Sequence, residues 1–437
     1  MMEKLFKLKQ HGTNVRTEIL AGITTFLAMA YILAVNPLIL SSTRMDQGAL
    51  FTATAIAAVI GTLCMAFFAN YPVALASGMG LNAFFASVVA GGVSWQIVLT
   101  AILIEGLIFI LLTLFKFREA IINSIPKNLK LAITAGIGLF IAFIGFSNLG
   151  YTVGMDFLTP QVILAFVGLL IMGIMLYFKV KGAILWGILI TYVLGIIAQA
   201  IGWYVPDPSV GVFSLYPSAV ISMPPSIAPI FFKFDFSGAW KLGIDFIVIC
   251  FAFLMVDMFD TIGTLVGVAS QANLLDEKGQ LPNAKGALMA DAIGTTAGSM
   301  LGTSTVTSYI ESAAGVEVGG RTGLTSVATA GMFVLALFFS PIFLAVPAFA
   351  TAPALIIVGL MMMRAVKEID FMDYSIAIPA FLTIVLMPIL SSIADGMMFG
   401  FISYTILQLI NKKGKEIHWM MYVVVALFLL KLIIPLF

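Results

Sequence analysis

Asn70-Tyr-Pro-Val-Ala-Leu-Ala-Ser-Gly-Met-Gly-Leu-Asn82 is apolar enough to lie in a membrane, yet it resists forming one continuous helix. Pro72 cannot donate a backbone hydrogen bond, and Gly78 and Gly80 weaken helix propagation at the point where a helix is next expected. A second stretch has the same character: Gly302-Thr-Ser-Thr-Val-Thr-Ser-Tyr-Ile-Glu-Ser-Ala-Ala-Gly315 opens with residues that favour extended backbone and then turns helical. Irregular backbone inside a bilayer survives only where it is buried in protein or lines a cavity. Two half-helices meeting near the midplane aim their positive N-terminal ends at a common point. These two stretches therefore predict an all-α polytopic carrier with its substrate at the crossing of two broken helices, each carrying a short extended segment.

The rest of the chain fits that solvent. Of 437 residues, 61% are hydrophobic and 10% charged, and the mean hydropathy is +1.11. A soluble domain is roughly 45–50% apolar and about a quarter charged, so there is too little polar surface here to coat a water-soluble globule. A net charge of +1 gives no field that would attract nucleic acid. Cys64 and Cys250 both fall in apolar runs, which argues against a disulfide framework, and His11 and His418 lie in polar flanks, which argues against a histidine-based metal site. No metal and no cofactor other than a coupled proton is expected. The first apolar run, Ala21 to Leu40, has spanning length rather than the length of a signal core, so no cleavable leader is expected.

Candidate spans are 19–41, 49–69, 73–91, 93–115, 131–149, 160–178 and 183–203, then 244–269, 285–302, 304–317, 322–343, 348–363, 375–390 and 394–411. Residues 1–203 form a first seven-span repeat and 244–411 a second. The polar, proline-rich interval 204–243, with a β-like flavour, links them on the outer side, and 412–437 adds an extra apolar segment. Cations cluster at alternate ends: Lys4, Lys7, Lys9 and Arg16, then Lys116 to Lys130, Lys179 and Lys181, Arg364 and Lys367, and Lys412 to Lys415. The positive-inside rule places these, and the N-terminus, in the cytoplasm of a cell-membrane protein. Residues 118–130 read as an inner interfacial segment. An odd number of spans per half inverts one half against the other, the arrangement used for alternating access. Gly61-Thr62 matches Gly294-Thr295, and Phe26-Leu27 matches Phe253-Leu254, at corresponding places in the two halves.

Acids inside these spans are the residues least expected by accident, because a carboxylate at the bilayer centre costs roughly 2.5–3.5 kcal/mol. Asp257 and Asp260 stand at i, i+3 on one helical face, with no Lys or Arg in the same span. A carboxyl that exchanges a proton there is a proton-coupling group, and Asp257 is the first candidate. Asp260 reads equally as a cap and Asp291 as a partner for neighbouring hydroxyls; both are placed in a supporting role. Glu311 falls where the second broken stretch turns helical, and a dipole gain of about 0.3–1 kcal/mol does not cover its insertion cost. Asn82 offers donor and acceptor to a heterocycle edge. Phe84 and Phe259 are placed to stack on a flat ligand. Glu105 and Asp395 read as helix-packing or gate residues outside the site.

Four stretches carry a resemblance: Gly22-Ile-Thr-Thr-Phe-Leu-Ala-Met-Ala-Tyr-Ile-Leu-Ala-Val-Asn-Pro37, Gly78-Met-Gly-Leu-Asn-Ala-Phe-Phe85, Val256-Asp-Met-Phe-Asp-Thr-Ile-Gly-Thr264, and Glu311 to Leu324. Together they resemble the AzgA-like purine permeases of the nucleobase:cation symporter-2 (nucleobase–ascorbate transporter) superfamily. The resemblance implies a core domain of spans 1–4 and 8–11, a gate domain of spans 5–7 and 12–14, a frequent homodimer, and purine import with protons. It also implies that Asn82, Asp257, Asp260 and Glu311 line or support the purine site; Thr25, within the first stretch, joins them as a substrate contact.

Other classes fit less well. An anion carrier of the same fold wants a basic residue at the junction, an intramembrane enzyme wants a metal cluster or a nucleophile–base pair, and a channel wants repeated pore motifs. None of these is visible in the sequence.

Overall fold

The computed structural model describes residues 2–114, 126–149, 158–206, 214–272, 274 and 281–433. At its centre two three-residue strands, β1 (Leu75–Ser77) and β2 (Val306–Ser308), pair antiparallel with Leu75 opposite Ser308, Ala76 opposite Thr307 and Ser77 opposite Val306. They are the extended parts of the two irregular stretches. A helix follows each, Met79–Ala90 after β1 and Ser312–Val318 after β2. All six strand residues are buried, so each strand satisfies in its neighbour the backbone groups that lipid would leave unpaired. The pairing extends beyond the strands: Gly78 N donates to Thr305 O and Tyr309 N to Ala74 O.

Ten helices among the described residues are long and apolar enough to cross a membrane. They supply spans 1 (Val15–Ser41), 2 (Gln47–Ala69), 4 (Trp95–Leu114), 5 (Lys127–Asn148), 6 (Pro160–Tyr177), 7 (Ala183–Ala200), 8 (Ile244–Gln271), 11 (Gly323–Leu344), 12 (Ala348–Met363) and 14 (Ile393–Ile410). The four remaining expected spans fall short for physical reasons. Spans 3 and 10 are the interrupted ones. Span 9 (Ala284–Leu301) carries Asp291, Thr295, Thr296 and Ser299, all buried against protein rather than lipid. Span 13 (Tyr374–Ile389) is a shorter helix with Pro379 and Pro388 inside it. The extra C-terminal segment is a further helix, Trp419–Ile433.

Two expectations change. Residues 127–130 open span 5 instead of lying along the interface, because Pro126 occupies the N-cap and starts the helix there; residues 118–125 lie outside the described residues. The interval 204–243 shows no strand among its described residues, only the helix Phe236–Leu242. Its prolines cannot donate to a ladder, and it threads across the ends of several spans instead: Thr52 donates to Pro225 O, Phe232 N to Met300 O, and Asp235 N to Thr100 Oγ1.

Packing links the spans in two sets. Span 9 lies on spans 2 and 4, span 11 on spans 1 and 2, the short helix of span 10 on span 1, and span 8 on span 4. Elsewhere span 12 lies on spans 5 and 6, span 13 on spans 5 and 14, and span 7 on spans 6 and 12. Spans 5 and 12 meet backbone to backbone, since a Cβ at Gly359 would stand 2.4 Å from Gly138 O.

Candidate functional site

A small cavity of ≈ 80 Å³ lies against the strand crossing. Its polar lining comes from span 1 (Tyr31), the start of span 3's helix (Gly78 to Gly80), span 8 (Asp260, Thr264) and the end of β2 onward (Thr307 to Glu311). Val358 and Met362 of span 12 close the opposite wall. A larger chamber of ≈ 360 Å³ shares Asp260, Thr264, Glu311, Val358 and Met362 with it and continues past Thr134 to Arg364 and Ala365. The cavity therefore opens toward the end of the molecule that carries Arg364.

Glu311 sits at the N-cap of the short helix but caps nothing with its side chain. Its carboxylate instead accepts a hydrogen bond from Tyr31 Oη, 2.5 Å from Oε1. Tyr31 stands at the break of span 1, between helices Val15–Met29 and Ile32–Ser41, and the break turns its ring toward the crossing. Asp260, half-buried like Glu311, faces the same cavity. Thr307 Oγ1 lies 3.4 Å from Asp260 Oδ2 and 2.9 Å from Thr261 Oγ1, and Thr261 donates to Asp291 Oδ1 at 2.7 Å. A hydroxyl has one proton to give. Thr307 thus serves either Asp260 or Thr261, and the three groups form a chain from the cavity to buried Asp291.

Donors complement these acceptors. The helix of span 3 has no side-chain cap, and its first amides stand at the cavity wall beside Met79 and Gly80. Unpaired first-turn N–H groups are ready partners for an acceptor atom. Glycine permits the approach: a Cβ at Gly78 would stand 2.6 Å from Thr307 Cγ2 and one at Gly80 2.5 Å from Ile137 Cγ2. Among the described residues the cavity lining contains two carboxylates and no Lys or Arg.

The other expected residues lie around this cavity rather than on it. Asp257 is fully buried, and its carboxyl contacts that of Glu105, which also receives Thr305 Oγ1 at 3.3 Å. Asp291 is fully buried on the Thr261 side of the chain. Asn82 is fully buried and accepts a hydrogen bond from Ser77 Oγ at 2.8 Å. Thr25 is fully buried where span 1 meets the short helix of span 10, its Oγ1 2.1 Å from where a Cβ on Gly315 would lie. Phe84 packs its ring on Phe253, centroids 4.6 Å apart, on the far side of the crossing from the chamber. The side chain of Phe259 lies outside the described residues. Tyr31 and Thr307 were not singled out by the sequence, although both fall in quoted stretches. Glu105, which the sequence places outside the site as a packing or gate residue, carries a signal of its own as the lone acid in Trp95–Leu114.

Two interrupted helices meeting through a pair of strands, with a polar cavity at the crossing, are the arrangement of a membrane carrier. The chain belongs to the Permease family, within the nucleobase:cation symporter-2 group, and the family profile matches residues 16–431. It is 49% identical to a putative permease of Methanocaldococcus jannaschii, over 99% of this chain and 98% of that one. It is 42% identical to an adenine permease of Escherichia coli (99% and 96% covered) and 42% identical to a guanine/hypoxanthine permease of Bacillus subtilis (98% and 99% covered). Among solved structures, the transmembrane domain of a cyanobacterium bicarbonate transporter superposes with a TM-score of 0.63 at 17% identity, covering 88% of this chain and 97% of that one. That likeness shows the inverted-repeat fold alone.

Proposed function

We propose that this permease carries purine nucleobases, importing them with protons by alternating access. The observation that carries the reading is the convergence of Asp260, Glu311 and the first amides of span 3's helix on one cavity, where the described lining holds no Lys or Arg. A purine presents ring N–H and exocyclic NH₂ donors beside carbonyl or ring-nitrogen acceptors. Carboxylates take the former and backbone N–H groups the latter; leaving such groups unpaired in a buried site costs several kcal/mol, so the pairing pattern selects the ligand. The adenine and guanine/hypoxanthine permeases among the relatives support a purine.

Glu311 and Asp260 hold the base, and Asp257 holds the coupled proton, with Asp291 and Asn82 supporting from behind. Two carboxyl groups in contact bond only through a proton, and the Asp257–Glu105 contact supplies such a place. The two sets of packed spans support a reading in which a core (1–4 and 8–11) moves against a gate (5–7 and 12–14). The cations at the Arg364 end support a cytoplasmic side for that end and for the N-terminus, in the cell membrane. A homodimer follows from the family resemblance. An anion carrier of this fold is disfavoured by the carboxylates where an anion would need a cation.

Uptake of labelled hypoxanthine, guanine and adenine into proteoliposomes tests the reading. An inside-alkaline gradient should drive accumulation, a protonophore should abolish it, and sulfate should not compete. Asp257→Asn should keep purine binding but lose the response to the gradient; a variant that still accumulates purine with the gradient removes Asp257 from coupling.

A further inference from the structure

Glu105 stands near the midpoint of span 4, a helix whose other residues are apolar or neutral. Its side chain is fully buried, and a carboxylate at that depth persists only where something compensates it. Mid-helix, it has no opening amides to cap. No cation answers it either. Among the described residues, the groups that face it are Asp257 and Cys250 of span 8, Asp291 of span 9 and Thr305 ahead of β2. Packing does not require an acid here, because small residues already bring spans 4 and 9 together: a Cβ at neighbouring Gly106 would stand 2.5 Å from Thr296 Oγ1.

Glu105 Oε2 accepts from Thr305 Oγ1 at 3.3 Å, and no donor among the described residues reaches Oε1. What remains to this acid is the Asp257 carboxyl. Two carboxylates in contact repel; with one proton between them, each becomes the other's hydrogen-bond partner. Such a proton belongs to the pair rather than to either residue.

Thr305 ties this pair to the cavity. Its hydroxyl bonds Glu105, and its carbonyl accepts from Gly78 N at 3.0 Å. Gly78 is the N-cap of span 3's helix, and its own carbonyl accepts from Asn82 N at 2.8 Å. The amides at the cavity wall, those of Met79 and Gly80, follow directly. One threonine thus touches the buried acid with its side chain and anchors the start of the cavity helix with its backbone.

We propose that Glu105 shares the coupled proton with Asp257, and that Thr305 passes the loss of that proton to the amides that hold the base. The proposal rests on the purine and proton reading above and deepens it, naming a second holder of the proton and the route by which proton and base sense each other. The proton enters from the cavity, where Asp260, Thr307, Thr261 and Asp291 stand in a hydroxyl-linked chain whose inner acid acts on Glu105. When it leaves, Glu105 and Asp257 repel, Glu105 shifts against Thr305, and the turn at Gly78 loses its anchor. The base is therefore held most tightly with the proton in place, and by linkage a bound base retains the proton.

Infrared spectra of the apo protein, with no solute present, test the sharing. A side-chain amide N–H can donate to the remaining carboxylate in the proton's place. Glu105→Gln and Asp257→Asn should therefore each lose the same protonated-carboxyl band. The double variant should lose that band and one ionised carboxylate, which keeps the test available if a single variant does not fold. Loss of the band in one single variant only, or in neither, overturns the sharing, as does loss of two bands of one kind in the double variant. Hypoxanthine binding against pH tests the transmission. In the parent, Kd should rise about tenfold per pH unit once the pair gives up its proton. In Glu105→Gln and Thr305→Val it should vary by less than about twofold over the same range, while Thr305→Ser follows the parent. Thr305→Val should also keep the infrared band, since its acid pair is intact. A Glu105→Gln or Thr305→Val profile that follows the parent's overturns the transmission. If the parent binds no purine, the purine reading fails, and the solute-free spectra still decide whether Glu105 shares a proton.

Discussion

Thr62 and Thr295 make the same pair of hydrogen bonds on opposite halves of the molecule. Thr62 Oγ1 donates to Leu75 O (3.0 Å) and accepts from Leu75 N (2.9 Å); Thr295 Oγ1 donates to Val306 O (2.9 Å) and accepts from Val306 N (3.2 Å). Each threonine follows a glycine that admits the strands: a Cβ on Gly61 would stand 3.1 Å from Val306 Cγ1, and one on Gly294 3.0 Å from it. The hydroxyl thus completes the edge of the two-stranded sheet. Thr62→Val and Thr295→Val each leave a buried amide and carbonyl unpaired, at a cost of about 1–3 kcal/mol. Thermal unfolding in detergent should show similar losses for the two, with Thr→Ser nearly neutral. A valine at either place that matches the parent's unfolding temperature would remove the clamp.

Tyr31 supplies the hydroxyl hydrogen bond to Glu311 Oε1 in the cavity. Its hydroxyl fixes one carboxylate oxygen and leaves the other to the ligand. In Tyr31→Phe the packing remains but the carboxylate loses that donor, and hydrogen bonds to charged groups contribute about 1.5–3 kcal/mol. Purine uptake should show a KM raised about tenfold or more, with the protein as heat-stable as the parent. An unchanged KM would mean that Glu311 is oriented by other contacts.

Much of this architecture is legible in the sequence because bilayer physics is strict. The broken stretches at 70–82 and 302–315 became paired strands followed by short helices, since interior backbone without helical bonds must find another partner. The Gly-Thr matches at 61–62 and 294–295 look like chance as dipeptides; their shared role is visible only when both threonines meet a strand. Site residues were harder to place. Asp257 and Asp260 share a helical face by spacing, yet one turn separates a fully buried group from one at the cavity wall. Which of the two meets the ligand depends on where β2 crosses span 8, and no local pattern encodes that. Tyr31 and Glu311 are 280 positions apart, and a tyrosine in an apolar run carries no insertion penalty large enough to draw notice.

Glu18 shows how an acid can be buried for architecture alone. Its Oε1 accepts from Arg321 N (2.9 Å), and its Oε2 from Thr322 N and Oγ1 and from Thr325 N and Oγ1, at 2.7 to 3.2 Å. The carboxylate satisfies the opening amides of span 11 and ties them to span 1. Glu18→Gln places an NH₂ group where at least one donor already points, so a loss of about 1–3 kcal/mol is expected. Glu18→Ala removes all five of these bonds, leaving Thr325 N with its second acceptor, Thr322 O at 3.1 Å, and should lower folded yield further. A Gln variant with the parent's unfolding temperature would show that the amides find other partners.

Gly80 marks the contact between the two packed sets. It lies in the first turn of span 3's helix, at the cavity wall, where a Cβ would stand 2.5 Å from Ile137 Cγ2 of span 5. If transport slides one set past the other, this contact is remade in every cycle, and an added methyl obstructs it in the arrangement described here. Overpacking of this kind costs typically about 1–3 kcal/mol. Gly80→Ala should therefore lower the maximal uptake rate about tenfold, while Ile137→Ala alone changes it little. The decisive measurement is the double variant, in which Ile137→Ala makes room for the new methyl. Recovery of most of the rate places the obstruction at this contact. Equal loss in the single and double variants would show that Gly80 acts through its backbone amide at the cavity instead.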